Sequence, residues 1–139
     1  MAAFTKFYSL TEALAEKVHN LGADTLKFML TNTAPVQTNT IKANITEIAG
    51  GNGYTAGGHV ATISSSSQTT GTYTLVAGAD TTITASGGSI GAFRYVVLYN
   101  DTATNDELIG YYDYGSSITV LDGESFNIAA NGVTLIQIA

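Results

Sequence analysis

From residue 59 to the end of the chain, short segments rich in β-branched and aromatic residues alternate with turns of glycine, asparagine and aspartate. Segments of about four to eight residues bounded by such turns are typical of strands. Many short strands at this spacing predict a mainly β fold. The expected architecture is an antiparallel β-sandwich (jelly-roll or immunoglobulin-like) or a small barrel, with one N-terminal α-helix. The predicted strands span residues 59–64, 72–76, 81–85, 93–99, 108–114, 117–120, 125–128 and 133–138.

The turns predict how these strands connect. Asp122-Gly123 and Asn131-Gly132 are the strongest tight-hairpin signals, so we expect the last three strands to form a meander. Gly115 is interpreted as a turn between two separate strands. The serine-rich run at 64–71 is expected to be an exposed loop, because it is polar and strand patterning resumes directly after it.

One convincing helix is predicted near the N-terminus, over residues 9–21. Ser9 and Glu12 fit a capping box, in which each side chain accepts a hydrogen bond from the backbone N–H of the other residue. Gly22 follows as a natural C-terminal stop. The helix carries an apolar stripe that must bury against another surface, formed by Leu10, Leu14, Val18 and Leu21.

After the helix the apolar period changes to two, which predicts a half-buried strand at Leu26, Phe28 and Leu30. The 139 residues are interpreted as a single domain, 1–139. Within it, 1–24 form the N-terminal arm and helix and 25–139 the β-sandwich. A short helical turn is also expected where isoleucines recur, at Ile41, Ile45 and Ile48.

Composition restricts the possible partners. The net charge is -6, so the chain can neutralise few phosphates, and we expect neither nucleic acid nor a membrane as a partner. The chain has no cysteine, which excludes disulfides. We find no apolar run long enough to cross a bilayer and expect no signal peptide. Only 12% of the residues are charged, so small uncharged residues must cover the surface, as is common in proteins that pack into assemblies.

Few residues are suited to catalysis. The two histidines, His19 and His59, have no nucleophile-elbow serine near them, so a serine-type triad is not indicated. Asp113 lies among tyrosines, but alternation along a strand places Tyr112 and Tyr114 on one face and Asp113 on the other. We therefore predict that the chain is not an enzyme.

Two loops have the amino-acid composition of a ligand-binding site but lack the residue spacing of a known binding motif. The oxygen-rich segment 100–107 could bind calcium but lacks the pattern of an EF-hand, and we expect its side chains to cap its own turns. The segment 87–91 is rich in glycine, yet no P-loop lysine follows it. Since no Cys and His cluster suits zinc either, we predict neither a metal nor another cofactor.

Two further features each allow two explanations. Residues 50–58 contain five glycines, which predicts a loop that either contacts a partner or forms a long internal connection. We favour the contact. Arg94, the single arginine, either guards a sheet edge or forms half of an ion pair with another chain.

Several segments resemble small virion proteins of tailed bacteriophages. The clearest are ITEIAGGNGYTAGG at 45–58, GSIGAFRYVVLYND at 88–101 and LIGYYDYG at 108–115, and residues 7–32 are similar as well. Within that class the chain is most similar to capsid decoration (cement) proteins. The resemblance implies a homotrimer on the outer capsid surface of the virion. It would bind the major capsid protein, stabilise the head shell and be made in the host cytoplasm.

The resemblance also implies which residues contact a partner. Decoration proteins need an arm or helix that reaches a neighbour, and residues 1–8 could be that arm, anchored by Phe4, Phe7 and Tyr8. The alternative is that these aromatic residues form an edge strand of the protein's own sandwich. The predicted contact set is completed by Asn52, Tyr54 and Arg94.

Two other functions stay open at this point. One is a phage tail component, either a tube protein or a fibre-associated module. The polar region 64–71 is too short to be an obvious example of the long hairpin that tube proteins use for ring stacking. The other is a carbohydrate-binding β-sandwich module that uses Tyr111, Tyr112 and Tyr114.

Overall fold

The computed structural model describes residues 4–139 and is mainly β, with antiparallel sheets packed together and one short α-helix in that range. This confirms the predicted fold class and favours the sandwich. No helix in the described range is both long and apolar enough for a membrane span. The elements are β1 (Phe4–Lys6), α1 (Ser9–Ala15), β2 (Leu26–Thr31), a 3₁₀ helix (Lys42–Asn44), β3 (His59–Val60), β4 (Ile63–Thr69), β5 (Thr72–Ala77), β6 (Thr81–Thr84), β7 (Ile90–Asn100), β8 (Leu108–Val120), β9 (Ser125–Ile128) and β10 (Thr134–Ile138).

The larger sheet has the strand order β1-β8-β7-β2-β3, and every neighbouring pair is antiparallel. Its central strand, β7, ends in the apolar run from Tyr95 to Tyr99, and side chains on both of its faces are buried. One face contributes to the main core of the sandwich. The other contributes to a second cluster, which consists of Phe7, Met29, Val97, Tyr99 and Leu108.

Two smaller sheets, β10-β5-β4 and β6-β9, pack on the main-core face. In β6 buried and exposed residues alternate, as expected of a strand with one face on the core. Phe126 of β9 contacts both Phe93 of β7 and Tyr114 of β8, with ring centroids 4.8 and 5.4 Å apart. Aromatic contacts of this kind join the sheets across the core.

The helix begins at Ser9 as predicted, but it ends at Ala15, and the predicted capping box is wrong. Tyr8 already has helical angles, φ -63 and ψ -36, whereas a capping residue is normally extended. Ser9 therefore lies inside the helix and makes no capping hydrogen bond. At the other end Lys17 adopts φ 65, and the Val18 N–H donates to the Ala13 carbonyl over 2.8 Å. This ends the helix before the glycine that was expected to stop it.

The serine-rich run predicted as a loop is a strand, so this prediction is wrong. β4 pairs with β5 along most of its length. Thr70 and Gly71 connect the two strands with φ 48 and 86, the positive values that a type I′ turn requires. The strand predicted over 59–64 is divided between β3 and β4. Backbone pairing and turn geometry stabilise this hairpin where an apolar pattern is lacking.

The last three strands do not form the predicted meander. β8, β9 and β10 lie in three different sheets, where they pair with β7, β6 and β5. Asp122-Gly123 does reverse the chain, with the Glu124 N–H donating to the Leu121 carbonyl over 2.8 Å. Gly115 does not separate two strands, because β8 continues through it with φ 85 and an irregular register. A turn signal in the sequence predicts where the chain reverses, but it does not predict which strand the next segment pairs with.

The other strands are confirmed, but β2, which was predicted to be half-buried, is buried on both faces because Met29 packs in the second cluster. β2, β5, β6, β7, β9 and β10 each overlap their predicted ranges, with boundaries that differ by a few residues at most. The predicted helical turn is the 3₁₀ helix Lys42–Asn44, which Ile41 and Ile45 flank. Beyond it Ile45 packs on the second cluster and Ile48 on the main core, so this segment covers both regions of the larger sheet.

Candidate interaction surface

The N-terminal segment forms an edge strand of the larger sheet, which is the alternative to a free arm. Phe4 pairs with Tyr112 of β8, and their ring centroids lie 4.9 Å apart. Gly110 lies beneath the Phe4 ring, where any Cβ would collide with it. From residue 4 onward the predicted arm over 1–8 is therefore part of the protein's own sandwich or its helix. The first three residues of that arm lie outside the described range.

Phe7 anchors this segment from the inside. Its side chain is fully buried in the second cluster, 5.3 Å from the Tyr111 ring between centroids. Its N–H donates to the Ile109 carbonyl over 3.1 Å. Phe7 therefore fixes the position of the next residue relative to the sheet.

Tyr8 is the predicted aromatic contact residue that the fold leaves open. It is 58% exposed, and Val36 is 57% exposed. The Tyr8 N–H donates to the Gln37 carbonyl over 3.0 Å, and the Gln37 side-chain amide donates to the Lys6 carbonyl over 3.0 Å. We call Tyr8, Val36 and Gln37 the N-terminal patch. It presents an aromatic and an aliphatic side chain on two backbone segments that hydrogen bonds hold together.

Sequence reasoning missed Val36 and Gln37. Pro35 marks a turn in the sequence, yet nothing in the sequence indicates that this turn meets Tyr8. The contact depends on pairing between residues about thirty positions apart, as the separation of Tyr8 and Gln37 shows. The length of the intervening strand and the register of the sheet decide it.

Tyr54 attaches the glycine-rich loop at 50–58 to the larger sheet. Its buried hydroxyl accepts a hydrogen bond from the Leu30 N–H over 3.0 Å and donates to Glu47 Oε1 over 2.6 Å. The same carboxylate oxygen accepts from the Gly57 N–H over 2.7 Å. Burial, reinforced by the bond to Glu47, raises the pKa of Tyr54 well above its ordinary value. Tyr54 is thus an internal anchor, and a partner could reach only the exposed residues around it.

Asn52, the other predicted contact in this loop, is exposed and joins two loops. Its side-chain amide donates to the Ser89 carbonyl over 2.9 Å, and its backbone carbonyl accepts from the Ser86 N–H over 2.9 Å. A Cβ on Gly88 would lie only 2.6 Å from the Asn52 amide nitrogen. The glycines at 87–91 therefore permit a close approach of two loops at one end of the sandwich.

Arg94 and Asp113 form a two-point ion pair between β7 and β8. Arg94 Nε donates to Asp113 Oδ1 over 2.7 Å, and Nη2 donates to Oδ2 over 3.0 Å. The Arg94 hydrogen bond, with help from the Gly115 N–H, lowers the pKa of Asp113, and the same contact raises the pKa of Arg94. β2 pairs with β7 only from Tyr95 to Asn100, so Arg94 lies just beyond the paired stretch and its role as an edge charge stays a prediction. Arg94 already has an acidic partner within its own chain.

A buried polar cluster joins the segment after α1 to the end of β7. The Asn100 side-chain amide donates to Asp24 Oδ2 over 2.6 Å and lies 3.0 Å from His19 Nδ1. The Asn100 oxygen accepts two backbone N–H groups, which fixes the orientation of the amide. His19 Nδ1 is then the acceptor, and the proton of the neutral ring lies on Nε2. Burial lowers the pKa of His19, against the opposing effects of Glu107 and Asp24. Sequence reasoning did not bring Asn100 together with His19 and Asp24.

The oxygen-rich loop at 100–107 uses its polar groups on its own backbone. Asn100 Oδ1 accepts from the N–H groups of Thr102 and Ala103 over 2.9 and 3.1 Å. Asp101 forms an ion pair with Lys27 over 3.1 Å. The two hydrogen bonds to Asn100 Oδ1 are the self-capping contacts that the sequence predicts, whereas the ion pair joins the loop to β2. Within residues 4–139 no group of three His, Asp or Glu side chains is placed to hold a metal ion.

The tyrosines of β8 alternate as predicted, but they do not form an open aromatic platform. Tyr112 is 1% exposed in the main core, and burial raises its pKa to about 12. Tyr114 packs partly against the same core, and Tyr111 packs against the second cluster. A sugar ring could not stack on Tyr112 without unpacking the sandwich.

These observations define a small antiparallel β-sandwich whose exposed features are a short aromatic patch, two joined loops and a serine-rich hairpin. No protein-family model, curated protein or solved structure matches the chain.

Proposed function

We propose that this chain is a virion structural protein, a capsid decoration protein that binds the major capsid protein on the outer surface of a phage head. The observation that carries the proposal is the N-terminal patch. Tyr8 and Val36 are large apolar side chains that stay exposed on a backbone fixed by hydrogen bonds. Exposed tyrosine on a rigid support is typical of interface hot spots, because little conformational entropy is lost on binding.

The scarcity of surface charge supports the same proposal. Only 12% of the residues are charged, and Arg94 and Lys27 are already paired within the chain. A surface of Ser, Thr, Asn and Gly can be buried against several subunits at a lower desolvation cost than a charged surface. A protein that reinforces a shell between capsomers needs such faces. The proposal assigns no catalytic activity and no cofactor to the chain.

The proposal is tested on purified virions separated into heads and tails. We expect mass spectrometry to find the chain on heads, and purified protein to bind again to heads from which it has been removed. Recovery of the chain only from tails would overturn the proposal. In that experiment a Tyr8→Ala variant should bind heads more weakly than a Leu121→Ala variant, since Leu121 is similarly exposed but follows the end of β8 that does not pair with β1.

A tail component is a second candidate, and the β4–β5 hairpin favours it. Tube proteins use a hairpin for ring stacking, and the region judged too short in the sequence is a paired hairpin from Ile63 to Ala77. Electron microscopy of the purified protein distinguishes the two functions. Stacked rings or tubes would support the tail assignment, and discrete particles that bind heads would support decoration.

A further inference from the structure

β4 is the longest edge strand in the part of the chain that the structure describes, and along residues 65–69 it pairs with no strand other than β5. The order β10-β5-β4 leaves β4 with one neighbour. Within residues 4–139, the backbone at 65–69 makes no backbone hydrogen bond beyond those of the β4–β5 hairpin. The two-residue turn makes Thr69 and Thr72 the first hydrogen-bonded pair. The N–H and carbonyl groups of Ser66 and Gln68 therefore point away from β5.

This edge lacks the features that normally prevent strand addition. Natural proteins protect free edges with charged residues, proline or bulges. β4 has the sequence ISSSSQT, which contains no charge and no proline. Its register shift lies at its start, between Ile63 and Ser65, and the pairing from Ser65 to Thr69 is regular. The small serine side chains leave the outward backbone groups accessible to another strand.

We propose that β4 pairs with β4 of a second copy of the chain, antiparallel about a two-fold axis, so that two three-stranded sheets become one six-stranded sheet. A two-fold axis brings the same strand against itself and needs only one surface. Two chains that each carry a net charge of -6 repel one another, and an uncharged strand is where they can meet at the lowest electrostatic cost.

The surroundings of the strand fit this occupant. A groove of about 520 Å³ lies between β4 and the segment from Leu21 to Leu26, and its lining includes Val60. Val60 is 55% exposed in the single chain. A second strand that paired with β4 and covered this groove would remove Val60 from water, which would add apolar burial to the backbone hydrogen bonds.

The proposal is independent of the function proposed above and differs from the trimer that the resemblance implies. A three-fold axis joins two different surfaces, so β4 could not meet β4 in a trimer. The mass of the assembly therefore distinguishes the proposed dimer from the trimer. Head binding can be measured whichever assembly is found.

The test compares two proline variants by sedimentation over about 1 μM to 1 mM protein. The intact chain should have twice its 14.4 kDa mass at the upper concentrations. Gln68→Pro removes an outward N–H while keeping the bonds to β5, and we expect a monomer with an unchanged circular dichroism spectrum. Gln137→Pro is the matched control, because Gln137 opposes Thr74 on the other open edge of the same sheet. It should stay a dimer.

A second control and a second measurement protect the result. Gln68→Ala loses the side-chain bond to the Gly71 N–H but keeps its own N–H, so it should also stay a dimer. Amide hydrogen exchange at Ser66 and Gln68 in the intact chain should be slow at high concentration and become fast on dilution. A monomer or trimer at every concentration, a dimeric Gln68→Pro variant, or exchange at these amides that ignores concentration would each overturn the proposal.

Discussion

β7 and β4 are both extended strands of the same sandwich, but different forces hold them. β7 has buried side chains on both faces, whereas no side chain of β4 is fully buried. Burying one large aliphatic side chain contributes about 1.5–3 kcal/mol, and one backbone hydrogen bond about 0.5–1.5 kcal/mol. Side-chain packing therefore stabilises β7, and β4 depends on pairing with β5 and on the geometry of its turn.

The largest effect should come from truncating β7. Leu98→Ala removes a fully buried side chain from the main core and leaves a cavity, which typically costs about 2–5 kcal/mol of unfolding free energy. Ser65→Ala, in exposed β4, should change that free energy by less than about 0.5 kcal/mol. Urea denaturation of both variants measures the difference. Equal losses would mean that β4 contributes to the core as much as β7 does.

A smaller effect is expected when a tyrosine hydroxyl is removed. Tyr54→Phe leaves the Leu30 N–H without its partner in the larger sheet, and we expect a loss of about 1–3 kcal/mol. Tyr73→Phe removes an exposed hydroxyl that bonds only to the Ser66 hydroxyl in the smaller sheet. That variant should lose less than about 0.5 kcal/mol. If urea denaturation shows equal losses of unfolding free energy for the two variants, polar contacts in the larger sheet are no more stabilising than those in the smaller sheet.

A pH dependence should arise at the end of β7. Burial lowers the pKa of both His19 and His59 from 6.5, so the unfolded chain binds more protons than the folded chain below that pH. Stability is then fully present above about pH 6.5 and falls as the pH is lowered from there. The lowered pKa values of Asp80 and Asp113 act below 3.8, outside this window.

The two histidines can be separated by substitution. His19→Gln keeps an acceptor for Asn100 and removes the titration, so the denaturation midpoint should fall less between about pH 7 and 5 than in the intact chain. His59→Gln measures how much of the acid sensitivity comes from His59, which follows the glycine-rich loop. A midpoint that falls as steeply in His19→Gln as in the intact chain would exclude His19 as a source of the acid sensitivity.

The sequence predicts best where packing decides the structure. The apolar run in β7 and the alternation of Leu26, Phe28 and Leu30 both lead to strands because their side chains are buried. The same alternation places Tyr112 and Tyr114 on the core face of β8. In each case the local pattern of apolar side chains is enough to predict which of them are buried.

Prediction fails where pairing between distant residues decides the structure. The serines of β4 have no apolar pattern, and they become a strand because β5 and a type I′ turn lie beside them. Tyr8 was expected to act together with Phe4 and Phe7. The register of β1 against β8 separates them, since it buries Phe7 and leaves Tyr8 exposed. No local signal in the sequence encodes that register.

The smallest effect on stability should come from the N-terminal patch, where the largest effect on binding is expected. Tyr8 is mostly exposed, so Tyr8→Ala should change the unfolding free energy by less than about 0.5 kcal/mol. If the patch contacts the capsid, loss of a hot-spot tyrosine costs about 2 kcal/mol or more, roughly a thirtyfold weaker binding to heads. Phe7→Ala should show the opposite pattern, with a loss of several kcal/mol in denaturation because its ring is fully buried. Tyr8→Ala protein that is as stable as the intact chain and binds heads equally well would show that the exposed aromatic residue of this edge is not the contact.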